Sequence, residues 1–189
     1  MADQAAGQAP QRILCHGATG SGKTTLARDL GRILRMPVHY VDDEFGWLPG
    51  WVQRDQSEQK ALALEAATAP QWIFDSAYGP YRQDIIGRSD LVVCLDYPRA
   101  LSLYRLLVRT VKRIKHRESV CNGNFETWGR TLDRDSIVLW HLKSFGPKRR
   151  QMRELESALG AERVKRFSRP RETRRWLAEL EARSSGLRS

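Results

Sequence analysis

The feature that most constrains this chain is a glycine-rich stretch between an apolar segment and an amphipathic one. It follows Arg12–His16, an apolar run typical of a buried strand, and leads into Lys23–Arg35, where apolar residues recur at helical spacing. The stretch fits the phosphate-binding P-loop, G-x-x-x-x-G-K-[ST], in residue types and in its strand–loop–helix context. It comprises Gly17, Ala18, Thr19, Gly20, Ser21, Gly22, Lys23, Thr24 and Thr25.

Each residue type in the P-loop has a physical reason. Glycine allows backbone angles that are closed to other residues, so successive N–H groups turn inward and form an anion-binding nest at a helix N-terminus. Lys23 is predicted to reach the β- and γ-phosphates of a nucleoside triphosphate, and the Thr24 hydroxyl to ligate Mg²⁺. The prediction is therefore a Mg-ATP site. The alternative is a glycine-rich turn with an incidental lysine.

Strand and helix patterns alternate along the rest of the chain. Short apolar runs at Val38–Val41, Trp72–Phe74, Leu91–Leu95 and Val164–Phe167 are separated by helical patterns. This alternation predicts an α/β fold with a parallel sheet and helices on both faces. One helix is predicted to begin at Pro98 and to run to about Lys115. The stripe of that helix expected to be buried comprises Leu101, Tyr104, Val108, Val111 and Ile114.

The chain of 189 residues suits one domain with a full hydrophobic core. We predict that domain over 12–182, between a flexible tail at 1–11 and a frayed tail at 183–189. Gly146-Pro147 is expected to break the helical pattern that extends from about Asp135 to Leu159. No apolar run approaches the ~20 residues of a membrane span, and the first residues lack a signal-peptide pattern. We therefore expect a cytoplasmic protein without membrane partners.

The net charge of +10 indicates polyanionic partners. A nucleotide with a phosphorylated acceptor is one candidate and nucleic acid is another, because basic residues cluster at 105–117, 148–153 and 163–175. No helix-turn-helix, zinc-finger or RNA-binding aromatic signature accompanies this charge. Charge alone leaves both partners open.

Acidic residues follow two predicted strands. Asp75 lies at the end of the third strand, where ligands of parallel sheets bind, so it is a candidate for holding Mg²⁺ or orienting an acceptor. Its alternative role is a helix N-cap. Asp42 and Asp43 follow the second strand, and either is a candidate to bind or deprotonate an acceptor hydroxyl. Their alternative role is turn chemistry.

Arginines recur every four residues along the helix after the fourth strand. Arg105, Arg109 and Arg113 share one helical face and are candidates for stabilising the charge that develops during phosphoryl transfer. Arg105 and Arg109 are the stronger candidates because they lie nearer the strand end. The alternative is a solvated basic face. Trp47 and Trp51 are read either as a base-stacking pair or as a pin that holds a short insert to the core.

Four segments together resemble P-loop kinases related to adenylate kinase, most closely the small bacterial proteins known as topology modulation proteins. They are the P-loop, Tyr40–Trp51, Trp72–Tyr78 and Leu95–Arg99 with the arginine-rich helix. The resemblance implies a three-layer sandwich with a five-stranded parallel sheet in the order 2-3-1-4-5. It also implies an acceptor-binding insert at 44–70, a lid at 116–131, and an acceptor-binding role for Arg82, which otherwise reads as a surface arginine.

Taken together, the residues predict an ATP-dependent kinase. Its acceptor is a small phosphorylated or hydroxyl compound, most simply a nucleoside monophosphate. Three groups of residues carry the prediction: catalytic Lys23, Asp75, Arg105 and Arg109; acceptor-binding Asp42, Asp43 and Arg82; metal-binding Thr24 and Asp75. Two alternatives stay open at this point. One is an ATPase or end kinase that acts on nucleic acid, and the other is a nucleotide-binding regulatory module without turnover.

Overall fold

The computed structural model describes residues 10–133 and 136–186. Within these ranges the central elements are, in chain order, β1 (Arg12–Gly17), α1 (Lys23–Leu34), β2 (Val38–His39), β3 (Trp47–Leu48), β4 (Val52–Gln53), α2 (Gln56–Ala66), β5 (Trp72–Phe74), α3 (Arg82–Arg88), β6 (Leu91–Leu95), α4 (Arg99–His116), β7 (Ser119–Val120), β8 (Asn124–Phe125), α5 (Trp128–Leu132), α6 (Ile137–Arg163), β9 (Val164–Phe167) and α7 (Pro170–Gly186). Short helical turns lie at Asp42–Gly46, Pro49–Trp51 and Gly79–Tyr81. None of the described helices is both long enough and apolar enough to cross a membrane.

Five strands form one parallel sheet in the order β2-β5-β1-β6-β9. Counted along the chain, these are strands 2-3-1-4-5, so the predicted α/β fold and strand order are confirmed. β1 lies in the middle, where Ile13 pairs with Ile73 on one side and Leu91 on the other. Because β1 is central, the loop at its carboxyl end opens into the crevice where strand order reverses.

Helices cover both faces of the sheet. One face packs Leu14, Phe74 and Cys94 against α2, α3 and α6. The other packs Ile13 and Val93 against α1, with α7 alongside. Side chains of β6 are buried throughout, as expected for a strand covered on both faces.

The apolar stripe predicted to be buried on α4 lies largely in solvent. Tyr104, Val108 and Val111 are among the exposed large hydrophobic residues of the described chain. The face of α4 that is buried instead carries Ser102, Leu106 and Thr110. Helical periodicity locates an apolar stripe on a helix, but it does not say which neighbour, if any, covers that stripe.

The predicted break at Gly146-Pro147 is wrong, because α6 continues through Pro147. Proline removes one hydrogen bond from a helix, and here buried Phe145 and Met152 on either side hold the helix against its neighbours. The chain leaves helical geometry only at Gly160, where φ is 77°. Helix α3 was not predicted at all.

The predicted tails are shorter than expected where the structure describes them. Residues 1–9 and 187–189 lie outside the described ranges. Gln11 already belongs to the sheet region, since its carbonyl accepts the Trp72 N–H (2.9 Å). At the other end α7 continues to Gly186, past the predicted boundary at 182.

Candidate active site

The P-loop lies between β1 and α1, as predicted. Gly22 has a φ of 100° and Gly20 a φ of 79°, which are left-handed values that favour glycine. A Cβ at Gly20 would collide with the Ser102 carbonyl oxygen, so the loop packs directly on the first turns of α4. His141 of α6 also contacts the loop, because its Nδ1 donates to the Thr19 carbonyl (3.0 Å). The loop is therefore held from two sides.

Lys23 is partly buried within the loop, and its Nζ donates to the Ala18 carbonyl (3.0 Å). Burial lowers the pKa of Lys23. The next residue makes the contact that joins the P-loop to the third strand of the sheet: Thr24 Oγ1 donates to Asp75 Oδ2 (2.7 Å). The other oxygen of Asp75 accepts the Val41 N–H (3.0 Å), and burial raises the pKa of this carboxyl. The two predicted metal-binding residues thus lie together.

Asp42 and Asp43 occupy different environments. Asp42 accepts a hydrogen bond from the Tyr78 hydroxyl, and its charge acts on Lys23 and Asp75. Asp43 accepts the backbone N–H of Asn122 (3.2 Å) in the predicted lid. Both line the same cleft, but Asp42 is the one whose carboxylate acts on the P-loop lysine.

The three arginines of α4 face the cleft, not solvent as in the alternative of a solvated basic face. Arg105 donates to the Ser21 carbonyl (3.3 Å), and its guanidinium lies over the Tyr97 ring, 5.6 Å from the centroid. Arg113 pairs with Glu126 (2.9 Å). Arg109 differs from both neighbours because its Nε is buried and has no hydrogen-bond partner among the described residues. Burial and the charge of Arg113 lower the pKa of Arg109.

A second cationic group lies on the other side of the P-loop. Arg82 donates to the Ala77 carbonyl (3.1 Å) and to the Gln151 side chain (3.0 Å). Lys148, three residues before Gln151 on α6, also lines the cleft, and within residues 10–133 and 136–186 it has no hydrogen-bond or ion-pair partner. Burial and the charges of Lys23 and Arg82 lower the pKa of Lys148 to about 7.

Lys148 is a site residue that the sequence analysis missed. It lies directly after Pro147, where a break was predicted, so nothing in the local pattern placed it near the P-loop. Burial and the same cations lower the pKa of His16 to about 3, so His16 is neutral inside this cationic group at ordinary pH. The repulsion among these groups is the electrostatic signature of a site for an anion.

Hydrogen bonds connect the predicted insert (44–70) to the predicted lid (116–131). Asn122 donates to the Trp47 carbonyl (3.2 Å), and Asn124 donates to the Leu48 carbonyl (3.0 Å). Asn124 also accepts the Trp51 N–H (2.7 Å). The Trp51 indole N–H donates to the Phe125 carbonyl (3.1 Å). Trp51 therefore pins the insert to the lid, and not to the core as one of the two readings supposed. The lid predicted as an irregular loop contains β7, β8 and most of α5, and its first residue still belongs to α4.

These parts enclose one cleft of about 1360 Å³. Beyond the P-loop its wall includes Tyr97, Pro170, Thr173 and Arg174. This part of the wall was not predicted from the sequence, since Pro170 and Arg174 come from the start of α7. Asp42, Arg82 and Lys148 also line the cleft.

The residues around Asp75 fit Mg²⁺ held jointly with phosphates. The Thr24 hydroxyl and the Asp75 carboxylate supply hard oxygen ligands, which Mg²⁺ prefers. The described residues contain no group of three or more His, Cys, Asp and Glu side chains placed to hold a metal ion. An ion there would take its remaining ligands from water and substrate phosphates, as Mg²⁺ commonly does.

Solved structures share this architecture. No protein-family profile and no curated protein sequence matches the chain. The fold is similar to a gluconokinase from Sinorhizobium meliloti 1021 (12% identity, 94% of this chain and 93% of that one, TM-score 0.53). It is also similar to shikimate kinases from Acinetobacter baumannii (17%, 90% and 90%, 0.55) and Bacteroides thetaiotaomicron (16%, 92% and 98%, 0.51). The protein has the fold of the P-loop kinases.

Proposed function

We propose that this protein is an ATP-dependent kinase that transfers the γ-phosphoryl group of Mg-ATP to a small anionic acceptor, most simply a nucleoside monophosphate. The observation that carries the proposal is the set of cationic side chains that converge on the P-loop without a carboxylate partner within ion-pair distance in the described chain. They are Lys23, Arg82, Arg109 and Lys148. Gathering four partly buried cations without carboxylate partners is costly, and two phosphorylated reactants would offset that cost.

The cleft divides into two ends under this proposal. We call the P-loop with Asp75, Arg105 and Tyr97 the triphosphate end. The acceptor end comprises Asp42, Arg82 and Lys148. ATP would lie with its phosphates on the P-loop and its base toward Tyr97 and Pro170. The acceptor would lie between the P-loop and α6, with its anionic group on Arg82 and Lys148.

In the reaction, an acceptor oxygen attacks the γ-phosphorus while the bond from that phosphorus to the β,γ-bridging oxygen breaks, and ADP leaves. Lys23 would hold the β- and γ-phosphates, and Arg109 would stabilise the charge that spreads over the transferred group. Thr24 and Asp75 would hold Mg²⁺, which would supply further neutralisation of phosphate charge. For a hydroxyl acceptor, Asp42 would take the proton.

Several contacts favour a small acceptor over nucleic acid. Arg149, Arg153 and Arg166 converge on the buried carboxylate of Asp96, at distances of 3.0, 3.8 and 3.1 Å. Arg163 donates to two backbone carbonyls of the α3 region. Parts of the basic segments that suggested nucleic acid are therefore used within the fold. The narrower resemblance to topology modulation proteins remains part of the proposal.

The test is ADP formation from Mg-ATP in the presence of a panel of acceptors: the four nucleoside monophosphates, nucleosides, sugars, carboxylated polyols and DNA. Stimulation by one phosphorylated or carboxylated acceptor, with transfer of labelled γ-phosphate to it, would establish the kinase and identify its substrate. Stimulation by DNA alone would favour the nucleic-acid alternative. Tight ATP binding with no stimulation by any acceptor would favour a regulatory module and contradict the proposal.

A further inference from the structure

Helix α4 presents an apolar face to solvent. Four of its large apolar residues recur at positions i, i+3, i+4 and i+7 on the side away from the sheet. They are Tyr104 (65% exposed), Leu107 (42%), Val108 (49%) and Val111 (46%). We call them the exposed α4 stripe. Single apolar residues are common on protein surfaces, but a contiguous stripe at helical spacing is typical of a covered face.

Of the basic residues of α4, Lys112 and Lys115 border this stripe, both at its C-terminal end. Arg105 and Arg109 face the cleft, and Arg113 pairs with Glu126 of the lid. Lys112 lies 4.0 Å from Glu118. The stripe therefore lacks the dense rim of free cations that a helix needs to lie on an anionic membrane or on nucleic acid. Its chemistry suits another apolar surface.

We propose that the exposed α4 stripe is the interface of a homodimer in which two copies of α4 pack antiparallel about a two-fold axis. The spacing of the stripe is unchanged when its direction is reversed. A crossing centred between Leu107 and Val108 therefore sets Tyr104 opposite the partner's Val111, and Leu107 opposite the partner's Val108. Two-fold interfaces are self-complementary in this way. Where residue i of one copy contacts residue j of its partner, residue j of the first copy contacts residue i of the partner.

Charge also permits this arrangement. α4 carries its lysines in the C-terminal half and none in the first two turns. In an antiparallel pair, Lys112 and Lys115 of one copy come level with uncharged Leu103 and Ala100 of the other. The basic ends of the two helices point in opposite directions, so the positive net charge of the chain does not concentrate at the seam. A parallel pair would bring the lysines together.

The size of the stripe limits the strength of the dimer. Four half-exposed side chains offer a patch of a few hundred Å², and partly buried Leu101 and Ile114 extend it. Two such faces bury on the order of 1,000 Å² in total, the lower limit for a specific interface. We therefore expect a dimer that forms in the micromolar range and dissociates on dilution.

The first test is sedimentation equilibrium of the full chain over low to high micromolar concentration. The weight-average mass is expected to rise from 21.7 kDa toward twice that value. Val108→Glu, and independently Leu107→Gln, should keep the monomer mass throughout, with an unchanged circular dichroism spectrum. The matched control is Val52→Glu, since Val52 is 55% exposed on the insert, away from α4, and its change should leave the dimer intact.

Cysteine cross-linking tests the direction of packing in a Cys121→Ser background. Val108→Cys should form disulfide-linked dimers under mild oxidation. Tyr104→Cys alone should not, because its two copies lie about 10 Å apart along the helix axis at 1.5 Å per residue. Tyr104→Cys mixed with Val111→Cys should cross-link.

Three results would overturn the proposal. The first is a monomer at every concentration. The second is a dimer that Val108→Glu does not weaken. The third is binding of the monomer to vesicles of phosphatidylglycerol that Val108→Glu abolishes, which would assign the stripe to a membrane surface.

Discussion

The triphosphate end and the acceptor end of the cleft are assembled from the chain in different ways. The triphosphate end is centred on nine consecutive residues whose backbone makes the anion nest. The proposed acceptor end brings together Asp42, Arg82 and Lys148 from the helical turn after β2, from α3 and from α6, which are far apart in sequence. A consecutive motif is shaped mainly by local backbone geometry, whereas a dispersed set depends on long-range packing. Nucleotide binding therefore depends mainly on a local motif, whereas the choice of acceptor depends on how distant parts of the chain pack together.

Lys148 differs from the P-loop residues in its hydrogen bonding. Lys23 donates to the Ala18 carbonyl, and Thr24 and Asp75 bond to each other. Lys148 at the acceptor end has no such partner in the described chain and has a lowered pKa. We expect the triphosphate end to control the rate of transfer and the acceptor end to control acceptor affinity.

The largest effect is expected at the triphosphate end. Lys23→Ala should reduce turnover by about 10³-fold, because it removes the cation that holds the β- and γ-phosphates. ADP release measures this effect, and circular dichroism checks the fold. Lys60→Ala, on the exposed side of α2, is the control and should keep normal turnover. Normal turnover in a folded Lys23→Ala variant would contradict the assignment of the P-loop.

Arg109→Ala tests whether a cation beside the P-loop acts on the rate of transfer or on ATP binding. It should lower kcat by about 10²-fold while ATP affinity changes little, because its unpaired guanidinium would act on charge that develops in the transition state. Steady-state kinetics with equilibrium ATP titration separates the two. A loss of ATP affinity as large as the loss of kcat would show that Arg109 binds only the ground state.

Lys148→Met tests the acceptor end with the length of the side chain preserved. The acceptor KM should rise by about tenfold, since one charge-assisted contact is lost, and the ATP KM should stay constant. Arg150→Ala is the matched control because it lies on the same helix and is exposed. A rise in the ATP KM with an unchanged acceptor KM would contradict the assignment of Lys148 to the acceptor end.

The pKa of Lys148 gives a pH dependence with a definite sign. Lys148 is cationic below about pH 7 and neutral above it, so it attracts an anionic acceptor only on the acid side. The kcat/KM for the acceptor should therefore fall as the pH rises through 7 and level off about tenfold lower, the same loss as is expected for Lys148→Met. Lys148→Met should remove this descending limb. A limb that persists unchanged in the variant would assign it to another group.

The smallest effect is expected where the insert meets the lid. Asn124→Ala leaves the Trp51 N–H and the Leu48 carbonyl without their partner, which costs about 1–3 kcal/mol and favours an open lid. Hydrogen exchange should increase at 119–125 by about tenfold or more. Turnover should fall less than in the variants above. If the amides at 119–125 exchange as slowly in the variant as in the parent protein, the hydrogen bonds of Asn124 do not hold the lid closed.

The residues near the P-loop could be predicted from the sequence more fully than those at the proposed acceptor end. The pairing of Thr24 with Asp75 was predictable, because a P-loop and a strand end on adjacent parallel strands must meet at one edge of the sheet. The position of Lys148 was not, since a proline next to it suggested a break. Packing of Phe145 and Met152 outweighed the hydrogen bond that Pro147 removes.

The amino-acid sequence by itself determined the α/β sheet and the P-loop, because these follow from hydrophobic period and from backbone angles that glycine permits locally. The strand order was predicted only from the resemblance to P-loop kinases. The tertiary structure alone decided which face of α4 is buried and that Lys148 lines the same cleft as Asp42 and Arg82. Those outcomes depend on contacts between segments that are distant in the chain. Hydrophobic period predicts which residues of a helix share one face, but only the packed fold determines which neighbour, if any, covers that face.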